Sequence, residues 1–225
     1  MKVRNVEGRM AMNIEERLKR AFGLFDRGKF DEAEAIYEEC LGSLTEKISP
    51  YYVEALHGLG YVRSAKGRYA EARDCYRELL EMAKEQDDWQ KEAVVLHQCG
   101  MVERMTGCLP EAKDFFEKEY VIWKHEASDF HVGFSANFYE QGIVALKEGN
   151  EREAGNFLQQ ALEFAERSGD LVALGCAHRG LGQLMASLDK KEEADMQFHS
   201  AVRAFEEAGD VQAVKDVNRL HRGLD

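Results

Sequence analysis

Histidines are the first residues of this chain to consider for chemistry. The 225 residues include 7 His. His57 and His97 fall at equivalent positions of two consecutive helical segments, which predicts neighbouring helices with axes roughly 10 Å apart. Zinc holds nitrogen ligands at about 2.1 Å, and no H-x-x-x-H, H-E-x-x-H or Cys pair accompanies these histidines. They are therefore interpreted as hydrogen-bonding groups, and no metal site is predicted.

Nucleophiles and phosphate-binding loops give no catalytic signal either. None of the 5 cysteines has a histidine on the same helical face of its turn to act as a base. The motifs G-x-x-x-x-G-K-[ST], G-x-S-x-G and G-x-G-x-x-G do not occur. Adjacent carboxylates such as Glu192 and Glu193 are typical of the solvated face of an acidic helix. The sequence therefore predicts a protein that is not an enzyme and needs no cofactor.

Composition narrows the class of partner. There are 30 Lys and Arg against 42 Asp and Glu, and the formal net charge of −12 opposes binding to nucleic acid. No run of 18 apolar residues is present to span a bilayer, and the first 25 residues lack the apolar stretch of a signal peptide. An odd number of cysteines without a C-x-x-C is typical of reduced thiols. We expect a cytoplasmic protein whose partner is a protein or peptide, with no membrane or nucleic-acid ligand.

The elements that position these residues are helices arranged in repeats. Apolar residues recur at steps of three and four, and only 2 prolines are present. One turn pattern occurs five times, beginning at Gly28, Gly67, Gly107, Gly149 and Asp189. The spacings between these turns are 39, 40, 42 and 40 residues. Small residues recur seven before and five after each turn start, at Ala21, Gly60, Gly100, Gly142 and Gly182 and at Ala33, Ala72, Ala112, Ala154 and Ala194.

Each landmark has a physical interpretation. Glycine just past a helix adopts the left-handed conformation that ends it, and Asp is a preferred N-cap. The aspartates at 88, 129, 170 and 210 are therefore expected to begin the helices that follow. A glycine inside a helix costs about 1 kcal/mol relative to Ala, so close packing must offset it. The sequence thus predicts helix A, a tight turn, and helix B crossing helix A at the small residue.

This pattern resembles the tetratricopeptide repeat. In the second repeat, the residues that carry the resemblance are Gly60, Gly67, Tyr69, Ala72 and Tyr76. The period near 40 residues is similar to that of the long repeats in kinesin light chains and in Rap-type and pheromone-receptor regulators. The resemblance implies an all-α, right-handed superhelix of five helix pairs plus a C-terminal capping helix. The expected organisation is a flexible tail at 1–12, repeats at 13–48, 49–87, 88–128, 129–169 and 170–209, and a cap at 210–225.

The resemblance also implies a ligand site. In the family, one face of the helices A lines a concave groove. The positions carried over to this chain predict the candidate ligand contacts His57, Tyr61, His97, Met101, Arg104, Tyr139, Ile143, Arg179 and Gln183. Apolar area with a few polar tips suits a mostly apolar or basic peptide, and if that peptide carries a carboxylate, Arg104 or Arg179 is expected to hold it. The leading hypothesis is a non-enzymatic interaction module, or scaffold, that binds a peptide in this groove.

Two alternatives stay open at this stage. One is a peptide-sensing regulatory subunit of a bacterial signalling system, which would act through a separate effector. The other is a structural subunit that assembles through its ends or convex face, including a homodimer formed through the C-terminal helix. A co-chaperone clamp is excluded, because the Lys and Asn positions of that family are occupied here by residues such as Glu54, Val94 and Met101.

Overall fold

The computed structural model describes the backbone of residues 3–223 and the side chains of residues 14–223. In this part of the chain there are eleven helices and no strand. The helices are α1 (Val3–Asp26), α2 (Phe30–Ser43), α3 (Pro50–Ala65), α4 (Tyr69–Glu85), α5 (Trp89–Thr106), α6 (Leu109–Glu126), α7 (His131–Lys147), α8 (Glu151–Ser168), α9 (Leu171–Ser187), α10 (Lys191–Ala208) and α11 (Val211–Arg222). The predicted all-α fold of five helix pairs followed by a C-terminal helix is confirmed.

The chain begins with helix α1, which starts at Val3. It therefore begins within the segment 1–12, for which the sequence predicts a flexible tail. Residues 1–2 and the side chains up to residue 13 lie outside the described residues, and the flexibility of this segment stays a prediction. The chain divides into two compact units, Met1–Val102 and Glu103–Asp225.

The first unit is built around small and aromatic side chains shared by α1 to α4. Leu18 and Ala33 are fully buried, Tyr37 packs against α3 of the next pair, and Tyr76 packs against α3 of its own pair. Helix α3 contacts both α1 and α2 as well as its own partner α4. The odd-numbered helices α1 and α3 of this unit therefore pack side by side.

The second unit has its most buried element at its centre. Helix α7 contacts α6, α8 and α9, and eleven of its seventeen residues are buried. At the C-terminal end, Phe198, Phe205 and Val217 form a small core between α10 and α11. The C-terminal helix thus covers an apolar surface of the fifth pair, as expected for a capping helix.

The turns inside the helix pairs take the predicted left-handed conformation. Gly28, Gly67, Gly107 and Gly149 have φ between 72° and 84°. In the fifth pair Asp189 takes this place with φ of 57°, a conformation that Asp tolerates better than most residues with a Cβ. One turn geometry is therefore kept in all five pairs despite the change of residue.

Three of the four predicted aspartates begin odd-numbered helices. The carboxylates of Asp170 and Asp210 accept hydrogen bonds from the backbone N–H of Ala173 at 2.8 Å and of Ala213 at 2.9 Å. Asp88 accepts from the N–H of Lys91 at 3.1 Å. The prediction for Asp129 is wrong.

The N-cap of α7 is Phe130, which has no capping side chain. Its ring packs 4.7 Å from that of Trp123 and fills the space beside Gly133, where a Cβ would lie 2.4 Å from the Phe130 ring. Aromatic packing therefore sets where this helix begins.

The small residues inside the helices A mark where a helix B crosses, as predicted. A Cβ placed on Gly60 would lie 2.7 Å from Tyr76, and one on Gly182 would lie 2.7 Å from Phe198. In both cases the ring belongs to the partner helix of the same pair. A second glycine two residues earlier meets the preceding pair, since a Cβ on Gly58 would lie 2.3 Å from Tyr37. Gly180 likewise meets Leu158 of α8 at 2.5 Å.

Candidate functional site

The candidate site in the first unit begins with His57 and Tyr61, one turn apart on α3. Their rings stack 4.9 Å apart with an interplanar angle of 15°. Tyr76 of α4 meets the His57 ring edge-on at 5.9 Å, and Phe25 of α1 lies 6.2 Å from Tyr61. The spacing of four residues on α3 brings the two predicted contacts onto one face, and both neighbouring helices hold them there.

A cavity of about 180 Å³ opens beside His57, between α3, α4 and the first turns of α5. Six of the ten lining residues are apolar, His57 contributes its imidazole, and the other three carry amide or ammonium groups. The lining consists of Val53, His57, Leu79, Met82, Ala83, Gln86, Gln90, Lys91, Val94 and Val95. A cavity of this size and apolarity is large enough for a ring the size of benzene.

His57 contributes a buried polar atom to the lining of this cavity. Its Nε2 atom is buried and has no hydrogen-bond partner. Burial lowers the pKa of the His57 imidazole to about 4, because a charged ring would lose its hydration without gaining a counter-charge. At neutral pH the site therefore presents an uncharged imidazole with an unsatisfied nitrogen, a group that a ligand could satisfy.

The second unit brings other predicted residues together in two polar contacts. Arg104 Nε donates to Glu140 Oε2 at 2.5 Å, and their side chains are 15% and 5% exposed. Arg179 Nη2 donates to the Tyr139 hydroxyl at 2.7 Å, and its guanidinium lies 5.2 Å from the centre of the Tyr139 ring. Burial raises the pKa of Tyr139 to about 12, against the opposing effect of the Arg179 cation. Both arginines are therefore engaged within the protein.

The remaining predicted contacts differ in exposure. Ile143 is buried and belongs to the interior of α7. His97, Met101 and Gln183 are half-buried. Tyr61 is 36% exposed. Their role as ligand contacts stays a prediction.

Two apolar residues on odd-numbered helices of the first unit are exposed. Phe22 on α1 is 57% exposed and Val94 on α5 is 40% exposed. Together with Tyr61 they supply exposed apolar area from three successive odd-numbered helices of the first unit. Exposed apolar area of this kind is typical of a protein-binding surface.

The cysteine thiols are not set up as nucleophiles. Burial raises the pKa of the thiols of Cys40, Cys75 and Cys176, whereas a reactive cysteine needs a lowered pKa. Among the described residues, no helix combines the length and apolarity needed to cross a bilayer.

Sequence reasoning missed the part that helix B plays in the cavity. Leu79 and Met82 of α4 line it, although the family pattern assigns the groove to helices A. Their apolar spacing signals only a buried face of α4, so sequence alone could not separate cavity lining from core. Glu140 was missed for a related reason, since its pairing with Arg104 crosses 36 residues.

Comparison with known proteins gives the same architecture. A tetratricopeptide repeat family model matches residues 13–85 and 51–124. This chain is a tetratricopeptide repeat protein. Proteins of this family are generally non-enzymatic interaction modules. No curated protein matches this tetratricopeptide repeat protein in sequence.

Solved structures extend the likeness over almost the whole chain. A candidate kinesin light chain of Podosopora anserina with nearly identical TPR-like repeats superposes with a TM-score of 0.65 at 14% identity, covering 88% of this chain and 96% of that one. The apo form of RapI gives 0.67 at 14% identity, covering 98% and 88%. A Rap protein complexed with Competence and Sporulation Factor gives 0.66 at 16% identity, covering 94% and 64%. At these identities the similarity establishes the fold.

Proposed function

We propose that this tetratricopeptide repeat protein binds a protein or peptide segment that inserts one large apolar side chain into the cavity beside His57. The observation that carries the proposal is the apolar cavity of about 180 Å³ whose single unsatisfied buried nitrogen is His57 Nε2. Exposed apolar area at Tyr61 and Val94 lies on the same set of helices. Together they offer an anchor pocket with an apolar rim.

The lining specifies the chemistry of the anchor. Val53, Leu79 and Val94 favour an aliphatic or aromatic side chain, and Met82 can repack around different shapes. A neutral imidazole can donate or accept one hydrogen bond, so Tyr or Trp would satisfy it in addition to filling the cavity. A carboxylate is disfavoured, because the uncharged ring supplies no counter-charge.

The charge of the chain selects among segments that carry such an anchor. A net charge of −12 attracts basic segments and slows the approach of acidic ones. The predicted alternative, a carboxylate held by Arg104 or Arg179, requires these groups to give up Glu140 and Tyr139 respectively. We therefore propose a neutral or basic segment whose main contacts are apolar.

A peptide array probed with the full chain tests this proposal. Arrays should contain neutral and basic 12-residue peptides with a single Phe, Leu, Met, Tyr or Trp, together with the same peptides carrying Ala at that place. Burying such a side chain contributes about 1.5–3 kcal/mol, so the apolar peptides should bind roughly 10- to 100-fold more tightly than their Ala partners.

A variant that fills the cavity tests whether the apolar anchor binds there. Val94→Trp places a large ring at a 40% exposed position of the lining and should abolish the preference for the apolar anchor. Val172→Trp, at a 44% exposed position on α9 of the second unit, is the matched control and should leave binding unchanged. Equal loss in both variants, or equal binding of the Ala peptides, would contradict the proposal.

A second candidate function, peptide sensing, is favoured by the fold shared with the Rap protein complexed with Competence and Sporulation Factor. It differs from simple binding in one measurable respect, because occupation of the site would change the affinity for a second protein. A structural role in self-assembly, including a homodimer, makes a third distinct prediction. Light scattering of the purified chain at several concentrations would then show a larger species, which Val94→Trp would not alter.

A further inference from the structure

Two histidines and an aspartate meet where α10 and α11 pack together in the second unit. His221 Nε2 of α11 lies 2.5 Å from Asp195 Oδ1 of α10. His199, one turn beyond Asp195 on α10, has its Nδ1 3.4 Å from the other carboxylate oxygen. One ligand atom from each of the three residues lies within 4.8 Å of the others. Two donor types suited to borderline metals thus converge from two helices.

The two helices hold the backbone of these residues in place, and the core holds the His221 ring. Asp195 and His199 share a face of α10 because they are four residues apart. The His221 ring packs 5.5 Å from that of Phe198, which is buried in the small core with Val217. The site is therefore set on two regular helices and a packed aromatic ring, which gives a more precise geometry than a loop would.

Hydrogen bonding also determines which nitrogen of His199 keeps its lone pair. Its Nδ1 lies 2.8 Å from the backbone carbonyl oxygen of Asp195. When Nδ1 carries the proton and donates it to this carbonyl, Nε2 keeps its lone pair. A histidine that ligates a metal usually donates its other N–H to a carbonyl or carboxylate in this way.

We propose that Asp195, His199 and His221 bind a divalent ion of the zinc class, and that this ion clamps α11 onto α10. Two imidazoles and one carboxylate match the three protein ligands of open zinc sites, with water completing the shell. Tetrahedral bonds of about 2.0–2.1 Å place ligand atoms about 3.3 Å apart. Asp195 and His199 are 51% and 64% exposed, so their side chains can turn to reach this spacing. Calcium and magnesium are excluded, because they prefer oxygen ligands throughout.

The clamp would act on an element with little other support. Val217 is the one residue of α11 that is buried among those described, and Ala213 and Val214 add partial contacts. Lys215, Arg219 and Arg222 line a separate recess that includes none of the three ligands, and Arg219 pairs with Asp216. A bond from one helix to the other would therefore strengthen a lightly attached cap.

Zinc titration of the full chain, stripped with a chelator and kept reduced, tests the site. Calorimetry should give one zinc ion per chain. Asp195→Asn and His221→Gln should each weaken binding at least about 10-fold, since even residues behind the ligands contribute 10- to 100-fold. His125→Gln, at an exposed histidine of α6, is the matched control and should bind as the parent does. Unchanged affinity in His221→Gln would overturn the proposal.

Cobalt replaces zinc as a spectroscopic probe, because the five free cysteines could also bind metal. Nitrogen and oxygen ligation gives visible bands without the thiolate charge-transfer absorption of a cysteine site. Thiolate absorption that persists in Asp195→Asn would assign the metal to cysteines and refute the site. Asp195 is exposed, so this variant is expected to fold, which circular dichroism verifies.

Hydrogen exchange measures the clamp itself. If zinc binds only when α11 is docked, an ion concentration 100 times the Kd should slow amide exchange in α11 about 100-fold. Amides of α3 in the first unit serve as the internal control and should not change. Zinc binding without slower exchange in α11 would retain the site and refute the clamp.

Discussion

Replacing His57 by phenylalanine should remove a large part of the acid sensitivity of this protein. The folded chain holds the His57 pKa at about 4 because the ring is buried, whereas an unfolded chain has a histidine pKa near 6.5. Between these two values the unfolded state binds more protons than the folded state. Stability therefore falls as the pH drops from about 6.5 to 4.

The size of the effect follows from the two pKa values. Protonation of the unfolded chain should cost about 1 kcal/mol of unfolding free energy at pH 5.5 relative to pH 7, and about 3 kcal/mol at pH 4. Phenylalanine at position 57 retains a flat ring to stack on Tyr61 but cannot be protonated. The His57→Phe variant should lack this part of the pH dependence, while other titrating groups act equally in both proteins.

Urea unfolding at pH 7, 5.5 and 4 measures the difference between parent and variant. The parent should lose about 3 kcal/mol more than His57→Phe over this range. Nuclear magnetic resonance of the His57 ring gives an independent value of its pKa. Parallel loss of stability in both proteins, or a His57 ring that titrates near 6.5, would refute the burial of a neutral imidazole beside the cavity.

Two further predictions concern packing and charge in the second unit. Gly142→Ala should destabilise the chain by up to about 2 kcal/mol, since its Cβ would lie 2.6 Å from Leu158 and the overpacking cost exceeds the gain in helix propensity; Gly155→Ala, where the nearest atom is at 3.4 Å, should be neutral or stabilising. Thermal melts of both variants check this, and equal melting temperatures would contradict the crossing at Gly142. Glu140→Leu should cost about 3 kcal/mol by leaving a mostly buried Arg104 unpaired, and adding Arg104→Met to it should restore most of the loss. Additive losses in that double-mutant cycle would show that the pair is not coupled.

The repeat pattern made the fold predictable, because the same physical demand recurs at the same phase. A left-handed turn and a close helix crossing each require a small residue, so glycines such as Gly60 and Gly67 are visible in the sequence as landmarks. The residue at which α7 begins was less predictable. Phe130 begins α7 where Asp129 was expected, because aromatic packing against Trp123 outweighs a cap worth about 1 kcal/mol.

The candidate site was predictable only in part. The spacing of His57 and Tyr61 placed them on one helix face, and the structure stacks them. The cavity beside them depends on side chains of α4, and its volume follows from how far α3, α4 and α5 stand apart, which periodicity does not encode. The contact between Asp195 and His221 could not be predicted from the sequence for a similar reason. An Asp-x-x-x-His spacing is common on helices, and its third partner lies 22 residues further along the chain than His199.

Gly58 and Gly60 stand two residues apart on α3, yet each makes room for a different neighbour, Tyr37 of the preceding pair and Tyr76 of its own. Gly180 and Gly182 do the same between α8 and α10. A protein engineer who shortens or extends this array should therefore not cut between helix B of one pair and helix A of the next. The junction there is fitted as tightly as the pair itself, and an exchangeable module has to carry the bulky residue of the helix B before it.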